Sequence, residues 1–105
     1  VQTCALPIFQ LFFISMKVKK ISANDIKKNV PTWSIKKGKL YKKFVFLNFS
    51  DALGFIVQVG IESEKINHHA TINNTYNKVE IILSTHSINS LSNLDIKLAQ
   101  MIDDL

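Results

Sequence analysis

All three histidines of this 105-residue chain fall in one short window: His68 and His69 adjacent, and His86 at the end of a strand-like run. Imidazole both gives and takes a proton near neutral pH, its ordinary pKa being about 6.5. Confinement to one stretch argues against surface filler and directs the search for function to Glu64–Asp95. Glu64 stands one helical turn before His68, so a helix continuing through this point shares a face between them and lets the carboxylate orient the imidazole. Two histidines facing one cavity, one charged and one neutral, form an acid–base pair suited to eliminating or adding water. Three histidines plus a carboxylate also match the donor set of an open zinc site. Adjacent histidines project differently, however, and make an awkward chelate. The plainest alternative is that loop histidines cap helix ends or meet solvent.

The elements that must position these residues follow from periodicity. Ser22 with Asp25 three residues later starts a short helix that Pro31 ends. Trp33–Lys36, the turn Lys37-Gly38 and Leu40–Leu47 read as a hairpin, with Gly38 supplying the positive φ of a tight turn. Ser50-Asp51 opens a helix running to about Ile66. Its stripe of Ala52, Phe55, Ile56, Val59 and Ser63 is widened by Leu53, Val57 and Ile61, which predicts a sheet on one side and leaves room for a subunit partner on the other. A second hairpin has arms Thr71–Tyr76 and Val79–Thr85 around Asn77-Lys78. Ser92 and Asp95 form a capping box before the stripe Leu94, Leu98, Met101, Ile102 of a final helix.

The predicted architecture is α+β in two layers, a four-stranded antiparallel sheet with helices on one face in the order α-β-β-α-β-β-α. His68-His69 then follow the long helix and His86 follows the strong strand, so both ends can meet at one edge of the domain.

Bulk properties narrow the function classes. Apolar content of 47% and charged content of 20% are ordinary for a globular fold. No apolar run approaches the roughly 20 residues that span a bilayer, so no membrane role is expected. The net charge of +5 comes from lysines scattered over the chain, without one arginine. Arginine is the usual carrier of bidentate phosphate and base recognition, so direct nucleic-acid binding is not expected. The single cysteine, Cys4, excludes an intramolecular disulfide and a thiolate cluster. A reducing, cytoplasmic setting is the simplest reading.

Val1–Ile8 reads as the translation of a sequencing-adapter oligonucleotide. Residues 1–15 are therefore expected to be a non-native extension, with a single domain over residues 16–105. A signal peptide fits less well, because the apolar run Ala5–Ile14 lacks a basic segment before it and a small-residue cleavage site after it.

Several runs together resemble the pterin-4a-carbinolamine dehydratases. They are Glu64-Lys65-Ile66-Asn67-His68-His69, Tyr76-Asn77-Lys78-Val79, Leu83-Ser84-Thr85-His86, and Leu91-Ser92 with Asp95. The spacing of Glu64, His68, His69, Tyr76, His86 and Asp95 matches the family pattern throughout. Trp33, the strand residues Leu40, Phe44 and Phe46, and Phe49-Ser50-Asp51-Ala52 extend the resemblance to about Ile21–Asp103. The chain departs from the family at Ala70, where proline is usual, and at Ser90, where glycine is common.

The resemblance implies a hydro-lyase that dehydrates 4a-hydroxytetrahydrobiopterin to quinonoid dihydropterin during tetrahydrobiopterin recycling. His68 and His86 are then the acid and base, His69 holds the pterin, and Glu64 orients a histidine or polarises the ring. Asn67, Ser84, Thr85 and Ser87 are expected to contact substrate. Trp33 is either an apolar wall of the site or a buried anchor of the first strand. Asp95 is either structural, as a cap, or catalytic. No cofactor and no metal are expected, the pterin being the substrate. Expected partners are a second copy or three, as homodimer or homotetramer, and an aromatic amino acid hydroxylase in the same pathway. The alternative is a non-catalytic partner or dimerisation protein, or a divergent pterin binder.

Overall fold

The computed structural model describes residues 17–105. The expectation of a non-native segment at Val1–Ser15 lies outside the described residues.

The first helix, α1 (Ala23–Asn29), starts where Ser22 Oγ accepts the Asp25 N–H at 3.2 Å. It stops at Val30, because the residue before a proline is pushed out of the helical region. β1 (Ser34–Lys36) and β2 (Lys39–Val45) are joined by Lys37-Gly38, both at positive φ (52° and 76°). A two-residue loop with this handedness matches the twist of its strands.

The long helix α2 (Phe49–Lys65) begins before the expected Ser50-Asp51. Asn48 is its cap, with Oδ1 accepting the Asp51 N–H at 2.8 Å. Asparagine caps as well as serine does, so Ser50 and Asp51 fall inside the first turn and do not open the helix.

In the second hairpin, β3 (Thr71–Thr75) and β4 (Lys78–Leu83) turn at Tyr76-Asn77, one residue earlier than expected. Tyr76 sits at φ 51°, and the amide of Asn74 holds the turn by donating to the carbonyls of Tyr76 and Lys78. Asn77 meanwhile extends the ladder to β2, exchanging bonds with the backbone N–H and carbonyl of Phe46. The final helix, α3 (Asn93–Asp103), carries the Ser92–Asp95 capping box.

The fold is α+β. Four antiparallel strands lie in the order β1-β2-β4-β3, with β2 and β4 central. The pairings Leu40↔Leu83, Lys42↔Ile81 and Phe44↔Val79 put the apolar members of both central strands on one face. That face packs on Ala52, Phe55 and Val59 of α2 and on Leu98, Ala99 and Ile102 of α3. Fully burying an aliphatic side chain stabilises by about 2 kcal/mol, so this face holds the sheet to its helices.

The opposite face is polar and exposed, with Lys43, Asn73, Thr75 and Lys78 upon it. There the Tyr41 hydroxyl donates to Glu80 Oε2 at 2.5 Å. This bond, then desolvation and the carboxylate's charge, raises the phenol above its ordinary pKa.

α3 is tied down at its far end as well. Asp103 accepts the Trp33 indole N–H (3.0 Å) and the Lys42 ammonium (2.8 Å), and Lys42 also reaches Thr32 Oγ1. Among the described residues, no helix is long and apolar enough to cross a membrane.

Candidate active site

The end of α2 decides where the histidines go. Asn67 takes φ 51° just past the cap Ile66, its N–H bonding to Glu64 O and the His68 N–H to Ser63 O. This double closure is a Schellman motif, and asparagine tolerates the left-handed position it needs. The helix therefore stops before His68 instead of continuing through it, and the two adjacent imidazoles diverge.

His68 turns inward, its side chain 10% exposed, and its Nε2 lies 2.6 Å from Asp95 Oδ1. His69 stays outside and meets Glu64 Oε1 at 2.7 Å, both side chains more than half exposed. The expectation that Glu64 shares a face with His68 is thus corrected: its partner is His69, because the chain reverses at Asn67.

Asp95 is fully buried, yet every acceptor position it uses is matched. Oδ1 receives His68 Nε2, while Oδ2 receives Thr85 Oγ1 (2.7 Å) and the Ser92 N–H (2.9 Å). A buried carboxylate is tolerable only with such donors. A carboxylate presents lone pairs alone, so Nε2 of His68 carries a hydrogen and Nδ1 is left for other partners. Asp95 thus completes the capping box of α3 and also anchors a histidine, which is the structural part of the two readings the sequence left open.

The strand end that delivers His86 is stopped earlier than Thr85. β4 closes at Leu83, and Thr85 forms an isolated bridge with Ser90. Between them His86–Ile88 makes one 3₁₀ turn, and Asn89 takes the left-handed conformation at φ 49°. With Asn89 in that role, Ser90 needs no positive φ, which accounts physically for a chain that lacks the common glycine there.

His86 is exposed and lines a cavity of 330 Å³ with Ser84, Thr85, Asn89, Ser90 and the Lys37–Lys39 turn. The turn arrives because Leu40 pairs with Leu83, which sets residues 37–39 beside 84–86. Lys37, Lys39 and Asn89 were not anticipated at the site. Their approach depends on pairing register between distant strands, which no local pattern reveals.

The expected site residues therefore divide. Ser84, Thr85 and His86 share the cavity, and Thr85 links it through Asp95 to His68. Ser87 is exposed on the 3₁₀ turn, and Asn67 shapes the backbone before His68. Trp33 is buried against Asp103, eight residues along α3 from Asp95, or about 12 Å at helical rise. Its indole thus anchors β1. The Thr85 hydroxyl is engaged by Ser92 and Asp95, while Ser84 and Ser90 line the cavity beside it. Among the described residues, no three His, Cys, Asp or Glu side chains are grouped to hold a metal ion.

A family model described as pterin 4 alpha carbinolamine dehydratase matches residues 15–105. Two strains of Prochlorococcus marinus, SARG and NATL2A, have proteins provisionally named pterin-4-alpha-carbinolamine dehydratase. The first is 43% identical over 91 residues, covering 84% of this chain and 95% of the relative. The second is 48% identical over 92 residues, covering 88% and 96%. The fold superposes on the crystal structure of a transcriptional coactivator/pterin dehydratase from Brucella melitensis with a TM-score of 0.76 and 31% identity, covering 82% of this chain and 97% of that one. With this fold, this spacing and a match along its whole described length, the chain belongs to the pterin-4-alpha-carbinolamine dehydratase family.

Proposed function

We propose that the chain dehydrates 4a-hydroxytetrahydropterins, with His68 and His86 as the proton-transferring groups. The observation that carries this reading is the hydrogen-bonded path from His68 through buried Asp95 to Thr85, the residue before His86. Water departs when one imidazolium protonates the 4a-hydroxyl and the C4a–O bond breaks. A ring N–H gives its proton to the other imidazole, and the freed electron pair closes a C=N bond at C4a. The products are quinonoid dihydropterin and water, and the two histidines exchange protonation states. General acid–base catalysis of this kind contributes about 10²–10⁴-fold.

His69, on the surface with Glu64, is assigned to holding the pterin rather than to proton transfer. In tetrahydrobiopterin recycling the substrate comes from an aromatic amino acid hydroxylase, in the cytoplasm. The test is ultraviolet-monitored turnover of synthetic 4a-hydroxytetrahydropterin against its spontaneous loss of water. Acceleration by the wild type that disappears in His68→Ala and His86→Ala supports the reading, whereas equal rates with and without protein overturn it.

A second reading has its own observation. Leu53, Val57 and Ile61 on α2 are 43%, 61% and 51% exposed and lie along one side of the helix. Isolated exposed apolar residues are ordinary, but an aligned row beside Phe49 supports reading this side of α2 as an association surface. We assign it to assembly with further copies of the chain. A heterologous protein partner is the rival occupant, the Brucella protein being described as a transcriptional coactivator/pterin dehydratase.

A further inference from the structure

We propose that Thr85 and Ser92 are positioning residues for His68: their hydroxyls form a one-way hydrogen-bond chain that locks Asp95 and so holds the neutral His68 ring as its Nε2–H tautomer. The role of that ring in proton transfer rests on the function proposed above. The tautomer itself does not.

The direction of the chain follows from counting hydrogens. Ser92 Oγ accepts the Leu94 N–H at 3.1 Å and lies 2.5 Å from Thr85 Oγ1. Thr85 Oγ1 in turn lies 2.7 Å from Asp95 Oδ2. A hydroxyl has one hydrogen to give. If Thr85 gave its hydrogen to Ser92, lone pairs of Thr85 and Asp95 would face each other in a fully buried setting. That arrangement is unfavourable where no solvent can intervene.

The order is therefore Leu94 N–H to Ser92 Oγ, Ser92 O–H to Thr85 Oγ1, and Thr85 O–H to Asp95 Oδ2. The Ser92 N–H falls on the same Oδ2. With Oδ2 doubly held, the carboxylate plane is set and Oδ1 is aimed at His68.

Thr85 also governs the second histidine through its backbone. Its N–H bonds to Ser90 O (3.0 Å), and its carbonyl accepts from Ile88 and Ser90. The loop carrying His86 is closed by these bonds. One threonine thus sets the ring of His68 with its side chain and the approach of His86 with its main chain, while the N-terminus of α3 supplies the hydrogens that start the chain.

The experiment is nitrogen-15 NMR of the histidine rings in the full chain, comparing wild type, Thr85→Ser, Thr85→Val and Ser92→Ala above the ring titration. The expected result is hydrogen on His68 Nε2 in the wild type and in Thr85→Ser. Thr85→Val, equal in shape but without the hydroxyl, is expected to show a mixture that includes the Nδ1–H form. Its turnover should fall through kcat by about 10-fold or more with little change in KM, as for a displaced but intact group.

A Thr85→Val protein with the wild-type tautomer and wild-type kcat overturns the proposal, as does a wild type protonated on Nδ1. Should Thr85→Val not fold, Ser92→Ala decides by the same spectrum, because it releases Thr85 from its donor. If the wild type fails to turn over the pterin, the proposed function falls while the ring spectra still decide the tautomer.

Discussion

His68 and Asp95 are 27 residues apart in the chain and 2.6 Å apart in the fold, and the aspartate that binds the imidazole also completes the capping box of the final helix. Under the proposed function, stability and chemistry therefore share one carboxylate. Asp95→Asn should lower both. The amide presents only one acceptor oxygen where three donors converge, and losing hydrogen bonds at a buried charged group costs about 2 kcal/mol. Urea denaturation checks the first loss, and kcat measured well below the melting point checks the second. A variant with normal turnover would sink the role given to the pair.

His68→Ala and His86→Ala should each remove most dehydratase activity, by about 10²-fold or more, with the fold retained. Circular dichroism and steady-state turnover together make the measurement. His86 is exposed on a 3₁₀ turn, so its removal should barely move the melting temperature. His68, bound to a buried carboxylate, should lose stability as well.

Glu64→Gln should behave unlike Asp95→Asn. Glu64 pairs with the exposed His69, and exposed ion pairs contribute at most about 1 kcal/mol. Unfolding midpoints within experimental error of wild type are expected, with any kinetic effect in KM through His69. A large loss of kcat in Glu64→Gln would return this carboxylate to the chemistry.

Trp33→Phe separates the two readings of the tryptophan. The indole N–H donates to both oxygens of Asp103 from a buried position. Its loss should cost about 1–2 kcal/mol of stability and leave KM unchanged. A raised KM in a stable protein would put Trp33 at the substrate after all.

Val57→Lys tests the surface on α2. Val57 is the most exposed of the three aligned apolar residues, so a charge there should not disturb the core. If copies of the chain associate through this row, the variant should show a lower solution mass by light scattering than wild type. An unchanged mass above that of one chain would place the interface elsewhere.

The order and kind of the elements follow from local rules written in the chain. Ser22, Ser92 and Gly38 act through neighbours within a few residues, and the alternation of Val79, Ile81 and Leu83 selects a face by strand period alone. The candidate site residues His68, His86 and Asp95 were likewise visible in their spacing. Their partnerships were not. Asn67 could have continued the helix or ended it in the left-handed conformation, and only the second choice sends His68 inward and gives Glu64 to His69.

The same limit applies to Lys37, Lys39 and Thr85. Their neighbours are set by the β2–β4 register and by the docking of α3, and these are decided by which apolar faces can be buried together. Sequence determined the inventory and the local turns, because those energies are short-range. Tertiary structure decided which carboxylate meets which imidazole, because that depends on packing across tens of residues.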